Sequence, residues 1–156
     1  MNIGIVGTGL MGSQIALRLA HKGHKVTVFN RDRSKAERLR SANGSVTLGM
    51  ANQPSDIGSN CDIALICVKD YEAVSNVSFG KGGLIENPKA DLVVIQCSTI
   101  APDESRKIAD FYSDKRVKML SVPILGGISA AESGELVLIA AGAKLIMINL
   151  NLFLKT

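Results

Sequence analysis

Tryptophan is absent, and only two Tyr and four Phe occur among 156 residues. Proteins that stack nucleic-acid bases need aromatic faces, so the excess of 18 Lys and Arg over 14 Asp and Glu is not read as a nucleic-acid surface. An acidic small ligand accounts for the net charge of +4 and the pI of ≈ 9.1 more economically. Cysteine is scarce and odd in number: Cys61, Cys67 and Cys97 have neither the spacing of a zinc site nor a paired framework. They are expected as reduced, small buried hydrophobes without chemistry, and no metal is expected. No basic and apolar leader precedes the first apolar run, which points to a cytoplasmic protein. The two histidines, His21 and His24, lack a carboxylate or cysteine companion and are read as cap or surface residues.

What is present suits one packed domain: 46% hydrophobic and 21% charged residues. Short β-rich runs at 2–6, 25–29, 62–68, 91–97, 117–122 and 135–140 alternate with helical patterns. That alternation predicts an α/β fold with a doubly wound, mostly parallel sheet. Runs such as "IALICV" and "LVVIQC" are continuously apolar, as in strands covered on both faces. Between the first two runs, Met11, Ile15, Ala16, Leu19 and Ala20 recur at helical spacing, and Gly23 stands where a helix would be capped.

The turn between that first run and that helix reads "GTGLMG". Gly7 permits a tight turn, Gly9 leaves room for a pyrophosphate, and Gly12 lets the helix pack closely on the strand. The helix N-terminus then offers N–H groups and a partial positive charge to phosphate. In this strand–turn–helix context the pattern predicts dinucleotide binding.

The second run ends in "FNRDRSK". An acidic residue here would bind the 2′-hydroxyl of NAD and repel a 2′-phosphate. Asn30 and Arg31 stand there instead, and Arg31 has the planar fork that pairs with phosphate or stacks on adenine. Ser34 and Lys35 could complete the pocket, while Arg38 and Arg40 are read as a solvated face. NADP is therefore expected over NAD. Further on, Val68 and Lys69 should line the path to the nicotinamide, and "CSTIAP" places Ser98 and Thr99 at the same sheet edge as helix cap, ligand contact or both.

Three stretches in order, "GIVGTGLMGSQIALRLAHKGHKVTVFNRDRSKAERL", "QCSTIAPDESRKIA" and "VPILGGISAAESGEL", resemble the β-hydroxyacid dehydrogenases, the group containing 3-hydroxyisobutyrate, tartronate semialdehyde and 6-phosphogluconate enzymes. The resemblance implies a Rossmann-like domain over 1–142 and reversible oxidation of a small carboxylic-acid substrate by NAD(P). It places Gly7, Gly9, Leu10, Met11 and Gly12 on the pyrophosphate, Asn30 and Arg31 on the ribose, and Val68, Lys69 and Thr99 along the cofactor. Ser98, Thr99, Gly126 and Gly127 fall to the substrate carboxylate. Leu125 replaces the serine that usually precedes the glycine pair, which leaves the substrate class open. The family's catalytic lysine lies in a second, helical domain, and neither Lys144 nor Lys155 stands in its glycine-rich context. Residues 143–156 read as an apolar tail unlike the family, open to a partner or a second copy, and suggest a truncated or frame-altered product that is inactive alone. A non-catalytic NADP-binding module is the alternative.

Overall fold

The first strand, β1 (Asn2–Val6), is the centre of the sheet. The computed structural model describes residues 1–42 and 44–141; the apolar tail 143–156 lies outside the described residues. After β1 come α1 (Leu10–His21), β2 (Lys25–Phe29), α2 (Arg33–Ala42), β3 (Leu48–Met50), α3 (Pro54–Asn60), β4 (Ile63–Ile66), α4 (Tyr71–Phe79), β5 (Val93–Gln96), α5 (Pro102–Asp114) and β6 (Lys118–Ser121). A final unit holds β7 (Ile124–Leu125), α6 (Ile128–Ser133) and β8 (Val137–Leu138).

Six strands form one parallel sheet in the order β3-β2-β1-β4-β5-β6. The order reverses between β1 and β4, where Ile3 pairs with Ile63 and Val6 with Ile66. The chain runs outward from β1 through β2 to β3, crosses back to β4 and runs outward again. That reversal leaves a crevice at the carboxyl ends of β1 and β4, the place where open α/β sheets bind ligands.

Both sheet faces are covered, as the continuous apolar runs predicted. Ile3, Ile5, Val26, Val28, Leu65 and Ile95 pack under α1, α2 and α6. Ala64, Ile66 and Val94 meet Ile57, Val74 and Tyr112 on the other face. Each fully buried aliphatic side chain contributes about 1.5–3 kcal/mol of transfer free energy. Gly4 lets α3 come close to β1, because a Cβ there would stand 2.0 Å from Ile57 Cγ2. The buried Tyr112 hydroxyl hydrogen-bonds Ser78 Oγ at 2.7 Å and ties α5 to α4.

Helix α1 ends as its sequence predicted. Gly23 takes a left-handed φ of 84°. Its N–H donates to the Ala20 carbonyl at 3.0 Å, and the His24 N–H to that of Leu19 at 3.1 Å. This double reach-back satisfies carbonyls that the helix end would otherwise orphan.

Three elements differ from expectation, one of them β7, a two-residue strand outside every predicted run. β3 was not foreseen, being three residues long at the sheet edge. The run 135–140 does not join the parallel sheet: only Val137–Leu138 is strand, antiparallel to β7. Among the described residues, no helix is long and apolar enough to cross a membrane.

Candidate functional site

The crevice is built around Gly7. Its φ of 104° is a left-handed conformation, and its N–H donates to the Phe29 carbonyl at 2.8 Å, fixing the turn to the end of β2. A Cβ on Gly7 would stand 2.2 Å from the Cys67 carbonyl oxygen just past β4. One on Gly12 would stand 2.0 Å from the Gly7 carbonyl oxygen. Both glycines are thus required by the protein's own packing. Gly9 is not: a Cβ there would meet nothing within 4 Å, so its outer side is open to an approaching group.

The first helical bond of α1 runs from the Ser13 N–H to the Gly9 carbonyl at 3.0 Å, which leaves the N–H groups of Leu10, Met11 and Gly12 without helical acceptors. Gly9 supplies no capping side chain, and the first turn holds no acid. The other long helices are treated differently. Asp32 accepts the Ser34 N–H at the start of α2, Asp70 the Ala73 N–H at α4, and Glu104 the Ala101 N–H at α5. Where those N-termini hold a protein carboxylate, α1 presents bare donors and a partial positive charge, a setting suited to an anion.

At the end of β2, Asn30 is already engaged. Its Nδ2 donates to Thr8 Oγ1 at 2.9 Å, and its Oδ1 accepts the Asp32 N–H at 3.0 Å. It therefore braces the second residue of the glycine turn against β2. Arg31 is exposed and in no ion pair among the described residues, with Asp70 within reach of its charge. The basic cluster is organised around Asp32. The Ser34 hydroxyl donates to Asp32 Oδ1 at 2.8 Å, and this bond, with the nearby charges of Lys35 and Arg38, holds the carboxyl below its ordinary range. Arg38 Nη2 reaches Ser34 Oγ at 3.3 Å, and Arg33 bridges Glu37 at 2.9 Å and Asn52 at 2.8 Å.

Beyond β4, the Val68 N–H donates to Ser98 Oγ at 2.9 Å, and Lys69 Nζ pairs with Asp70 at 2.9 Å. Ser98 is buried, and its carbonyl accepts from Gln96 Nε2 at 2.9 Å. Its hydroxyl locks the end of β5 to the end of β4, while Thr99 is exposed beside it. Neither residue caps α5, as their position before Pro102 had suggested. The N-cap is Ala101, with Pro102 in the first turn and Glu104 reaching back, because the chain runs three residues past Ser98 before it turns helical. Gly126, with φ of 139°, and Gly127 form the turn from β7 into α6, whose N-terminus also lacks a capping side chain.

The structure thus gathers Gly7, Gly9, Leu10, Met11, Gly12, Asn30 and Val68 round one crevice. Ser34 and Lys69 are turned to neighbouring carboxylates. Sequence reasoning missed Thr8, Asp32 and Asp70. Thr8 had a signal, a polar residue between two glycines; the two aspartates had the ordinary one of an acid just before a helix.

A parallel sheet whose order reverses beside a glycine turn and an uncapped helix defines a dinucleotide-binding domain of the Rossmann type. Residues 2–156 match the family described as the NAD binding domain of 6-phosphogluconate dehydrogenase, and the chain belongs to that family. It is 32% identical to glyoxylate/succinic semialdehyde reductase 1 of Arabidopsis thaliana, over 92% of this chain and 48% of that protein. It is 31% identical to the cytokine-like nuclear factor N-PAC of Xenopus tropicalis, over 90% of this chain and 26% of that protein. The chain thus spans half or less of the length of these relatives. Among solved structures, a 3-hydroxyisobutyrate dehydrogenase from Salmonella typhimurium shares the fold with a TM-score of 0.87 at 24% identity, over 99% of this chain and 53% of that one. Psf3, solved with NADP+ and 2-OPP, superposes with a TM-score of 0.85 at 25% identity, over 97% of this chain and 52% of that one.

Proposed function

We propose that the chain is the cofactor-binding portion of an NADP-dependent oxidoreductase of the β-hydroxyacid dehydrogenase type. The observation that carries this reading is the bare N-terminus of α1 above the open side of Gly9, at the point where the strand order reverses. The pyrophosphate would lie on the N–H groups of Leu10, Met11 and Gly12. When bound, the nicotinamide supplies the hydride exchanged with a β-hydroxyacid or semialdehyde.

Asn30 and Arg31 are assigned to the ribose end. Asn30 keeps a second amide hydrogen and further acceptor capacity beyond its two internal bonds, and Arg31 supports the choice of NADP. Asp32 opposes a 2′-phosphate, so Lys35 is assigned to balance that carboxylate while Arg31 pairs with the phosphate. Ser34 contributes indirectly, by holding Asp32. Val68, Lys69 and Thr99 line the path toward the nicotinamide. Thr99 and the N–H groups of Gly126 and Gly127 receive the substrate carboxylate, and Ser98 positions them by fixing the end of β5. The general acid/base comes from outside the described residues, so the chain alone is expected to bind without turnover.

Titration with NADP and NAD tests the cofactor. NADP should bind more tightly, and Arg31→Ala should weaken it about tenfold while leaving NAD little changed, from the loss of one charge-assisted pair. Equal affinities would defeat the phosphate pocket. Adding NADPH and small semialdehydes to the chain tests the division of labour, because turnover would place the acid/base within it. The second reading is a module that holds the dinucleotide without catalysis; one relative is named as a nuclear factor rather than as an oxidoreductase. Turnover by a protein extending beyond this chain would exclude it.

A further inference from the structure

Cys67 and Cys97 immediately follow the last residues of β4 and β5, whose register pairs Ile66 with Gln96. The Cys97 N–H donates to the Ile66 carbonyl at 2.9 Å, so the two cysteines continue the same pairing on neighbouring strands. Adjacent strands lie about 4.8 Å apart, inside the Cα separation of about 4.4–6.8 Å that a disulfide accepts. Both side chains lie on the α1 face of the sheet, where the Cys97 thiol donates to the Ile95 carbonyl at 3.9 Å and the neighbouring Cys67 raises its pKa. Cys67 is half-buried and Cys97 buried. Cys97 also lines an apolar cavity of ≈ 310 Å³ between α1, the sheet and the β7-α6-β8 unit. Cys61 lies in the core of the opposite face.

Cys67 is also a wall of the glycine turn. Its carbonyl oxygen backs Gly7, and its Cβ would be 3.4 Å from a Cβ on Gly12. A disulfide needs Cβ atoms about 3.5–4.5 Å apart, closer than the usual strand spacing. Closing one would draw the ends of β4 and β5 together and move the backbone against which the turn is set.

We propose that Cys67 and Cys97 are a reversible oxidation site, whose disulfide lowers dinucleotide affinity by displacing the Cys67 wall of the glycine turn. The coupling rests on the dinucleotide reading above; the oxidation site itself does not. The oxidant is a hydroperoxide, small enough for a half-buried thiol. Cys67 sulfur, as thiolate, attacks one peroxide oxygen; the O–O bond breaks, giving a sulfenic acid and hydroxide, which takes up the thiol's proton as water. Cys97 sulfur then attacks Cys67 sulfur, the S–O bond breaks, and the departing hydroxide takes the Cys97 proton as a second water. The two thiols together lose two electrons and the peroxide gains two. Strain in such a bond favours its reduction by thiols, which makes the site reversible.

Treating the chain with hydrogen peroxide, mapping cysteine peptides by mass spectrometry and titrating NADP before and after tests this. The expected result is a Cys67–Cys97 cross-linked peptide lighter by two hydrogens, with Cys61 still free. NADP affinity should fall at least about fivefold, the lower end of ordinary coupling between sites, and dithiothreitol should restore it. Cys97→Ala should bind NADP normally when reduced and resist the peroxide; Cys61→Ala should behave as wild type. Absence of the cross-link, a cross-link without change in affinity, or equal loss in Cys97→Ala would each overturn the proposal. A reduced chain that binds no dinucleotide would overturn the functional reading instead, and the peptide map would still decide the oxidation site.

Discussion

A methyl group added at Gly12 would stand 2.0 Å from the Gly7 carbonyl oxygen, whereas one added at Gly9 would meet nothing within 4 Å. The two alanine variants should therefore fail differently. Gly12→Ala should lose about 1–3 kcal/mol of stability by overpacking, together with NADP affinity. Gly9→Ala should lose at most about 1 kcal/mol, as a poorer helix cap, yet bind NADP as badly. Thermal melts and NADP titrations on the pair check this, and a Gly9→Ala protein that bound normally would move the pyrophosphate elsewhere. These glycines were legible because their spacing is local. The grip of Asn30 on Thr8 was not, since it joins residues 22 apart and exists only once β1 and β2 are in register. The contacts of Ser34 and Lys69 within the chain were not legible either: each engages a neighbouring acid, Asp32 or Asp70.

Helix ends carry much of the fold's charge. Asp32 and Asp70 cap α2 and α4, and Asp62 accepts the Asn2 N–H at 2.9 Å while paired with Lys89. All three carboxyls are held below their ordinary range, Asp32 chiefly by Ser34, Asp70 by the Ala73 N–H and Asp62 by Lys89. A carboxyl with a lowered native pKa stabilises the fold above its unfolded value, about 3.9, and loses that contribution as pH falls below it. Melting temperature should thus drop below about pH 4, on top of a decline from about pH 6.5 due to His24, whose imidazole is held below its ordinary range by burial. Between helices, Tyr112→Phe should cost about 1–3 kcal/mol, because the buried Ser78 hydroxyl loses its partner; denaturant unfolding measures it. Long apolar elements such as β4 and β5 were readable from composition alone. β3 and β7 were not, being three and two residues long and made by their neighbours.

Buried neutral acids set the opposite limit for the whole molecule. Burial pushes the Cys61 thiol up to about 11, and Tyr112 is raised by burial too. Cys97 is raised by the neighbouring Cys67 and then by burial. The unfolded chain ionises its thiols first, near pH 8.5, so stability should fall as pH rises from about 8.5 toward the native values. Denaturant midpoints at successive alkaline pH values check this, and Cys61→Ala should flatten the decline. The doubly wound architecture itself was legible, because alternating runs and a glycine turn leave few other solutions. The parallel sheet also imposes a timetable. β1 cannot be completed by its neighbours in sequence, for its second partner, β4, ends sixty residues after Val6. A ribosome adding about 5–20 residues per second leaves that edge waiting for about 3–12 s. During that wait the centre of the future sheet is an open, apolar strand, and this is the interval in which a chaperone has something to hold.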